Sequence, residues 1–405
     1  MDRIVIVGGG QAAGQACASL RQEGYEGALT LVSEEPRPPY QRPPLSKQYL
    51  SGEQGIERVS LRPEKFYEDN NVELVLGVAV TQLDCDGREV KLAGGRSLGY
   101  DKLVLATGSR VRRLDGLPGA DLGGIHYLRT IEDADGIRQG LSAAKNVVIV
   151  GGGYIGLEVA SVAAEANASV TLLEAESRIL ARVATEQLSE FFAGVHTDRG
   201  VTIRTSASVT GFSGQGAVSG VTLASGDEVP ADLVVIGVGI VPNVELAEEA
   251  GIRCDNGIVV DEYCRTSQED VLAAGDCTSH PNALLGRNIR LESVPNAMEQ
   301  ARIAAATISG NPKPYTAEPW FWSDQYDLKL QMAGFAEGAD SHVVRGDPQT
   351  NQFITFHLRG GVVVGADAVN SVREFLPCRK LVATGASPDP AALADASIPV
   401  KELVG

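Results

Sequence analysis

The sequence is short of the groups that several common kinds of redox and binding chemistry require. Its 405 residues include six cysteines, Cys17, Cys85, Cys254, Cys264, Cys277 and Cys378, and no two of them form a CxxC or CxxxxC pair. A dithiol relay needs two neighbouring thiols, so disulfide-reductase chemistry is disfavoured. No Cys/His set has the spacing of a zinc or iron–sulfur site, and no metal or cluster is expected on this chain. Reduced thiols in a cytoplasmic protein are the expectation. No apolar run approaches the roughly 18 residues of a membrane span. The N-terminal run Ile4–Val7 is too short for a signal peptide and leads straight into glycines, so a soluble, cytoplasmic protein is expected. Positive charge is also scarce. Thirty-five Lys and Arg face 52 Asp and Glu, a net charge of −17, which disfavours a non-specific nucleic-acid binder. The acidity names no partner, because docking responds to the local field.

What the chain does have is enough apolar sequence, 43%, to bury real cores, at a length that usually makes two or three domains. It also carries one phrase twice. Residues 4–14 read IVIVGGGQAAG and residues 147–158 read VVIVGGGYIGLE. Each copy follows a β-branched strand (Arg3–Val7, Asn146–Val150), opens a helical stretch (Ala12–Gln22, Tyr154–Ala166) and is followed by a second strand (Leu29–Val32, Val170–Leu173) closed by an acid, Glu34 or Glu174. That is a βαβ unit on a parallel sheet, present twice. The turns have the form G-x-G-x-x-[GA]: Gly8, Gly10 and Ala13, then Gly151, Gly153 and Gly156. The first position allows the tight turn, the second lets a pyrophosphate approach the backbone, and the third must be small for helix–strand packing. The helix N-terminus offers free N–H groups to phosphate, and the acid suits a ribose diol. Two such sites in one chain imply electron transfer between two dinucleotides, FAD and NAD.

Around these units, the five prolines of PRPPYQRPPLSK (36–47) rule out a helix interior or a central strand and predict a stiff, ordered loop. Residues 72–106 and 201–240 alternate in short runs with Gly turns, as β structure does. After about residue 314 the composition shifts. Trp320 and Trp322 are followed by a strand-and-turn pattern, and 385–399 suggests a surface tail or short helix. The expected fold is α/β: two Rossmann-like dinucleotide-binding domains in the glutathione-reductase-like manner, plus a smaller α+β C-terminal domain. The expected division is 1–112 with 243–318 for FAD, 113–242 for NAD, and 319–405 for the C-terminal domain.

The stretches PPLSK (43–47), LVLATGS (103–109), YLRTIEDA (127–134), VVIVGGGYIGLEVA (147–160), GVGIVPN (237–243), LAAGDC (272–277), ESVPNAMEQA (292–301) and PWFWSDQ (319–325) give the chain an end-to-end resemblance. It resembles the two-dinucleotide-binding flavoproteins, and within them the ferredoxin reductases of oxygenase systems (the putidaredoxin, rubredoxin and biphenyl dioxygenase ferredoxin reductase type). The resemblance implies that the first turn binds FAD and the second NADH. It places Gly8, Gly10, Ala12 and Ala13 at the FAD pyrophosphate, Glu34 at the adenosine ribose and Val80 beside the adenine. It adds Arg42, Ala106, Thr107, Gly108, Arg129 and Gly275 as further FAD contacts. It gives Asp276 to the ribityl chain and the Val294 amide to the flavin pyrimidine edge, where a helix N-terminus stabilises negative charge. It assigns Trp320 to the flavin or the partner face. On the NAD side it implies Gly151, Gly153, Tyr154, Ile155, Gly156, Glu174 and Gly239. Lys47 beside flavin N5 and Glu158 at the nicotinamide amide form the catalytic pair that the resemblance implies.

Cofactor choice follows from charge: Glu174 and Glu176 stand where a 2′-phosphate would need a base, which favours NADH, although Arg178 is near in sequence. The acceptor implied is a [2Fe–2S] ferredoxin serving a P450 or ring-hydroxylating oxygenase, with rubredoxin as the alternative. Arg302 and Lys329, with Arg290, Arg379 and Lys380 behind them, are candidates for its docking. An NADH-sensing flavoprotein of the apoptosis-inducing-factor type is the reading from another functional class.

Overall fold

A computed structural model describes residues 3–404, which group into two compact units. The first comprises 3–41, 59–110 and 242–321, and the second 42–58, 111–241 and 322–404.

In the first unit the strand Arg3–Val7 lies in the middle of a five-stranded parallel sheet. The order is Val271–Ala273, Lys102–Leu105, Arg3–Val7, Ala28–Ser33, Val72–Leu76. Its strands are nearly all apolar because both faces are covered. One face packs under two helices, Gln11–Gln22 and Val294–Ile308, whose Ala12, Ala13, Ala16, Ala297, Ala301 and Ala305 share a core with Ile4, Ile6, Leu29 and Leu31. On the other face Val5, Val7, Leu103 and Leu105 meet Leu83, Val90 and Leu92 of a three-stranded antiparallel sheet, Val80–Asp84, Glu89–Leu92 and Ser97–Gly99. The chain runs from Arg3–Val7 to Ala28–Ser33 on one side, and its other neighbour, Lys102–Leu105, comes from later in the sequence, so the strand order reverses at Arg3–Val7, the place where α/β sheets take their ligands.

The second unit repeats the plan. Asn146–Val150 is central in the order Thr202–Arg204, Ser169–Leu173, Asn146–Val150, Leu233–Ile236, Ile125–Tyr127, all parallel. The proline-rich segment is not wholly irregular: Pro43–Ser46 is a 3-10 turn followed by the short helix Gln48–Ser51. Pro43 and Pro44 occupy the first turn, where a missing N–H costs nothing. Leu50 is buried with Ile149 and Leu157. Leu328, Leu330, Phe353 and Val369, from an antiparallel sheet ordered Trp320–Gln325, Leu328–Gly334, Val362–Val369, Gln352–Arg359, Ser341–Asp347, belong to that same core. The segment 385–399 is more than a surface tail. It forms the helix Pro390–Ala394, buries Leu393, and Arg345 donates to the carbonyls of Asp395 (2.6 Å) and Ile398 (2.7 Å).

One buried group of the first unit predicts a pH effect. His280 is 1% exposed, neither ring nitrogen has a hydrogen-bond partner among the described residues, and its ring meets Tyr315 edge-on at 5.0 Å. Burial pushes its pKa from 6.5 down to about 4. The folded-state pKa lies below the unfolded one, so the contribution to stability is full above pH 6.5 and is lost as pH falls through about 4. His280→Phe is therefore expected to make the pH dependence shallower. Between pH 7 and about 4.5 the wild type should lose about 2–3 kcal/mol more than the variant in urea unfolding.

Candidate functional site

The first glycine turn is shaped by the strand on which it rests. Gly8 has φ +133° and donates its N–H to Val32 O at 2.8 Å. A Cβ there would stand 2.0 Å from the Ala106 carbonyl oxygen. Gly10 caps the helix Gln11–Gln22 without any side-chain hydrogen bond, and nothing lies within 4 Å on the side where a Cβ would project. The helix thus presents unused N–H groups to open space, as a phosphate needs. Gln11 buries a side-chain oxygen with no partner among the described residues at the same helix start.

Ala106, Thr107 and Gly275 stand against this turn, and Gly108, Asp276, Val294, Val80 and Trp320 lie in the same unit. Gly275 (φ +93°) approaches Ala12 so closely that a Cβ would be 3.1 Å from the alanine's own. Thr107 and Gly108 are tied to Asn243, whose Nδ2 donates to Thr107 O (2.9 Å) and whose N–H donates to Gly108 O (3.0 Å). Asp276 accepts from Ser109 Oγ at 3.0 Å. Val294 starts its helix: Ser293 caps the Asn296 amide, Pro295 has no N–H, and the Val294 N–H is left as a first-turn donor that the helix itself does not use. Val80 opens its strand half-buried, and Trp320 is half-buried at the start of the strand Trp320–Gln325.

Glu34 differs from its expected counterpart in detail. Val7 pairs with Val32 and Val150 pairs with Leu173, so the position in the first unit equivalent to Glu174 is Ser33, and Glu34 lies one residue further on, exposed. Ser33 Oγ accepts from the Glu35 amide (3.2 Å), as a Glu174 oxygen accepts from the Glu176 amide (2.8 Å).

The second turn is built the same way. Gly151 (φ +109°) faces the Gly237 carbonyl, where a Cβ would clash at 2.4 Å, and a Cβ on Gly156 would stand 2.0 Å from Gly151 O. Gly153 caps the helix Tyr154–Glu165 with no side-chain bond and faces open space. Glu174 Oε2 accepts from the Gly152 amide at 2.7 Å and so holds the glycine loop. Ile155 is an exposed apolar side chain in the first helical turn, and the Tyr154 hydroxyl donates to Met332 Sδ at 2.8 Å. Gly239 has φ +103° and accepts from the Arg112 amide at 2.9 Å.

Also in this unit, Lys47 and Glu158 form a buried ion pair. Nζ to Oε2 is 2.6 Å, and the side chains are 9% and 1% exposed. Isolated burial of either charge would be costly, so the pair is held by further donors. Ser46 Oγ donates to Oε2 (2.5 Å) and Ser323 Oγ to Oε1 (2.6 Å). Both serines lie in stretches that carry the resemblance, PPLSK and PWFWSDQ, but the resemblance assigns neither a role, and Ser323 is 165 residues from its acceptor. Arg42 donates to the Arg129 carbonyl at 2.6 Å, while the Arg129 amide donates to Asp133 at 2.9 Å beside the capping box of Thr130 and Asp133.

The docking candidates are less free than their sequence suggests. Arg302 pairs with Glu299 (2.9 Å), Lys329 with Asp324 (3.4 Å) and Arg290 with Glu292.

The thiols are structural. Cys17, Cys264, Cys277 and Cys378 are buried, and burial pushes Cys17 and Cys378 up to about 12.

Comparison with known proteins agrees with this geometry. Residues 2–301 match the family model of the pyridine nucleotide-disulphide oxidoreductases and residues 320–404 that of the reductase C-terminal domain. The chain is 44% identical to the rhodocoxin reductase of Rhodococcus erythropolis (98% of this chain, 93% of the relative). It is 45% identical to a ferredoxin–NAD(P)(+) reductase of a Sphingomonas species (99% and 97%). It superimposes on the solved covalent putidaredoxin reductase–putidaredoxin complex with a TM-score of 0.96, at 43% identity over 100% of this chain and 98% of that one. The chain belongs to the pyridine nucleotide-disulphide oxidoreductase family, among its ferredoxin reductases. No helix among the described residues is long and apolar enough to cross a membrane.

Proposed function

We propose that this protein is an NADH-dependent flavoprotein reductase that passes electrons through FAD to a small iron–sulfur ferredoxin of the [2Fe–2S] kind, supplying a P450 or ring-hydroxylating oxygenase. The observation that carries this reading is the pair of uncapped glycine turns, each at the C-terminal end of the central strand of a parallel sheet. Bound FAD would supply the conversion of a two-electron donor to one-electron delivery. The chain's own residues hold and orient. Gly8, Gly10, Ala12 and Ala13 cradle the FAD pyrophosphate, with Ala106, Thr107, Gly108, Gly275 and Asp276 along the cofactor and the Val294 amide at its acidic edge. Gly151, Gly153, Tyr154, Ile155, Gly156, Glu174 and Gly239 receive NADH. Lys47 and Glu158 orient the nicotinamide through its amide and stabilise the charge that hydride transfer develops. The three-domain division given above, with 319–405 as a C-terminal domain, and a cytoplasmic location belong to the same reading. The separate family match over 320–404 and the six free thiols support them.

The test is anaerobic mixing. The yellow protein should bleach with NADH, and a panel of ferredoxins and rubredoxins should then accept electrons in a coupled assay. A colourless protein, or a flavin that stays oxidised, overturns the reading. Cofactor choice should follow the carboxylate that comes directly after the strand Ser169–Leu173. A 2′-phosphate placed against Glu174 meets like charge, so kcat/KM for NADH should exceed that for NADPH by about a hundred-fold. Ferredoxin reduction should fall only a few-fold between about 0.05 and 0.5 M salt, because three of the candidate cations already have carboxylate partners. A flat profile would remove electrostatic steering from the account.

A further inference from the structure

Glu158 is the end of a longer buried chain of polar groups. Its Oε1 accepts from Ser323 Oγ (2.6 Å), Ser323 Oγ accepts from Gln325 Nε2 (3.2 Å), Gln325 Oε1 meets His196 Nε2 (2.9 Å), and His196 Nδ1 meets the Tyr326 hydroxyl (3.1 Å). Ser323, Gln325 and His196 are all 0% exposed. Chemistry fixes the direction of every bond. The Ser323 hydroxyl gives its one proton to the carboxylate and must therefore accept from the Gln325 amide N–H. That leaves the Gln325 carbonyl oxygen for the ring, so His196 donates from Nε2, and its Nδ1 accepts from Tyr326. Four donors in series point at one carboxylate oxygen, an arrangement in which each bond polarises the next.

The far end is clamped. Tyr326 sits at φ +56°, a backbone region that a bulky residue rarely occupies unless its surroundings hold it. The Arg199 guanidinium covers its ring at 4.3 Å, and Arg199 is itself paired with Asp327. Burial, with the Arg199 charge adding to it, holds the His196 imidazole below its ordinary pKa, the neutral form the chain requires.

We propose that Ser323, Gln325, His196 and Tyr326 are positioning residues that fix the Glu158 carboxylate for NADH. They leave Lys47 and Ser46 to satisfy Oε2 and turn the carboxylate plane to one setting. A carboxylate held only by Lys47 could rotate, and recognition would spread over several geometries. This inference rests on the assignment of Glu158 to the nicotinamide amide, and the experiment separates the two.

NAD+ binding to the oxidised holoenzyme is measured by calorimetry for Glu158→Ala, Ser323→Ala, Ser323→Thr and Gln325→Met. In parallel, the histidine side chains are followed by 15N NMR. The expected result is a loss of affinity of about ten-fold for Ser323→Ala and about three-fold for Gln325→Met, with Ser323→Thr close to wild type. One histidine should be protonated at Nε2 alone and should take up its second proton only below the ordinary imidazole range. If Glu158→Ala binds NAD+ like wild type, the assignment of Glu158 fails. If Glu158→Ala binds weakly while Ser323→Ala and Gln325→Met bind normally, the positioning chain fails and the assignment stands. An Nδ1-protonated His196, or one that titrates in the ordinary imidazole range, identified by its loss in His196→Asn, also overturns the proposal. Should Gln325→Met lose its flavin, the Ser323 pair and the NMR signal decide.

Discussion

Glu158→Ala should slow reduction of the bound flavin by NADH about a hundred-fold or more, measured by stopped flow under anaerobic conditions. The expectation follows from what the substitution leaves behind. Among the described residues Lys47 Nζ keeps only the Pro43 carbonyl, at 3.2 Å, as a hydrogen-bond partner, and Ser46 and Ser323 lose a common acceptor. A buried cation without its anion costs about 3–5 kcal/mol, so the melting temperature should fall as well. Glu158→Gln separates the two consequences. The amide keeps the shape and can still accept from Ser323, so much of the stability should return, while the rate stays low because the negative charge is gone. Equal rates for the wild type and Glu158→Gln would mean that the charge of Glu158 plays no part in the reaction.

Gly8→Ala should yield a protein that purifies without colour. The new methyl would lie 2.0 Å from the Ala106 carbonyl oxygen and 2.6 Å from its carbon, both rigid backbone atoms at the end of a sheet strand. At φ +133° a side chain is also strained whatever the space. Relief requires the turn to move away from the strand Lys102–Leu105, which opens the phosphate cradle. FAD affinity should fall by about a hundred-fold or more, read as the ratio of flavin to protein absorbance. Gly24→Ala is the control. Gly24 also has positive φ (+84°) but nothing lies within 4 Å, so this variant should cost only about 1 kcal/mol in stability and stay yellow.

Much of this arrangement is legible in the sequence. Backbone demands are written locally: a glycine forced by a carbonyl contact, a β-branched strand before it, an acid after the next strand. Both glycine turns could therefore be placed from short stretches, whereas Lys47 and Glu158 are named by the family resemblance. Groups that act across the fold leave no such trace. Ser323 and Gln325 fall within PWFWSDQ but nothing local ties them to Glu158, His196 lies in the last turn of a distant helix, and their common purpose exists only once the chain has folded. The strand register shows the finer limit of sequence inference. The first acid after the second strand is Glu34 in one unit and Glu174 in the other, yet Val7 pairs with Val32 and Val150 with Leu173, so the position equivalent to Glu174 is Ser33. Both acids directly follow their strands, and a count along the chain cannot show that one strand runs a residue further than the other.

The sulfur chemistry has a practical corollary. With pKa values near 12, the Cys17 and Cys378 thiols carry a thiolate fraction of only about one in a hundred thousand at neutral pH, and both are sealed from solvent. Cys264 and Cys277 are equally enclosed. Cys85 and Cys254 are the partly exposed thiols, and burial raises both above the ordinary range. A cysteine engineered at the surface would therefore outcompete all six natural ones for a maleimide. The wild-type background could take a fluorophore or spin label as it stands, with none of its own sulfurs removed.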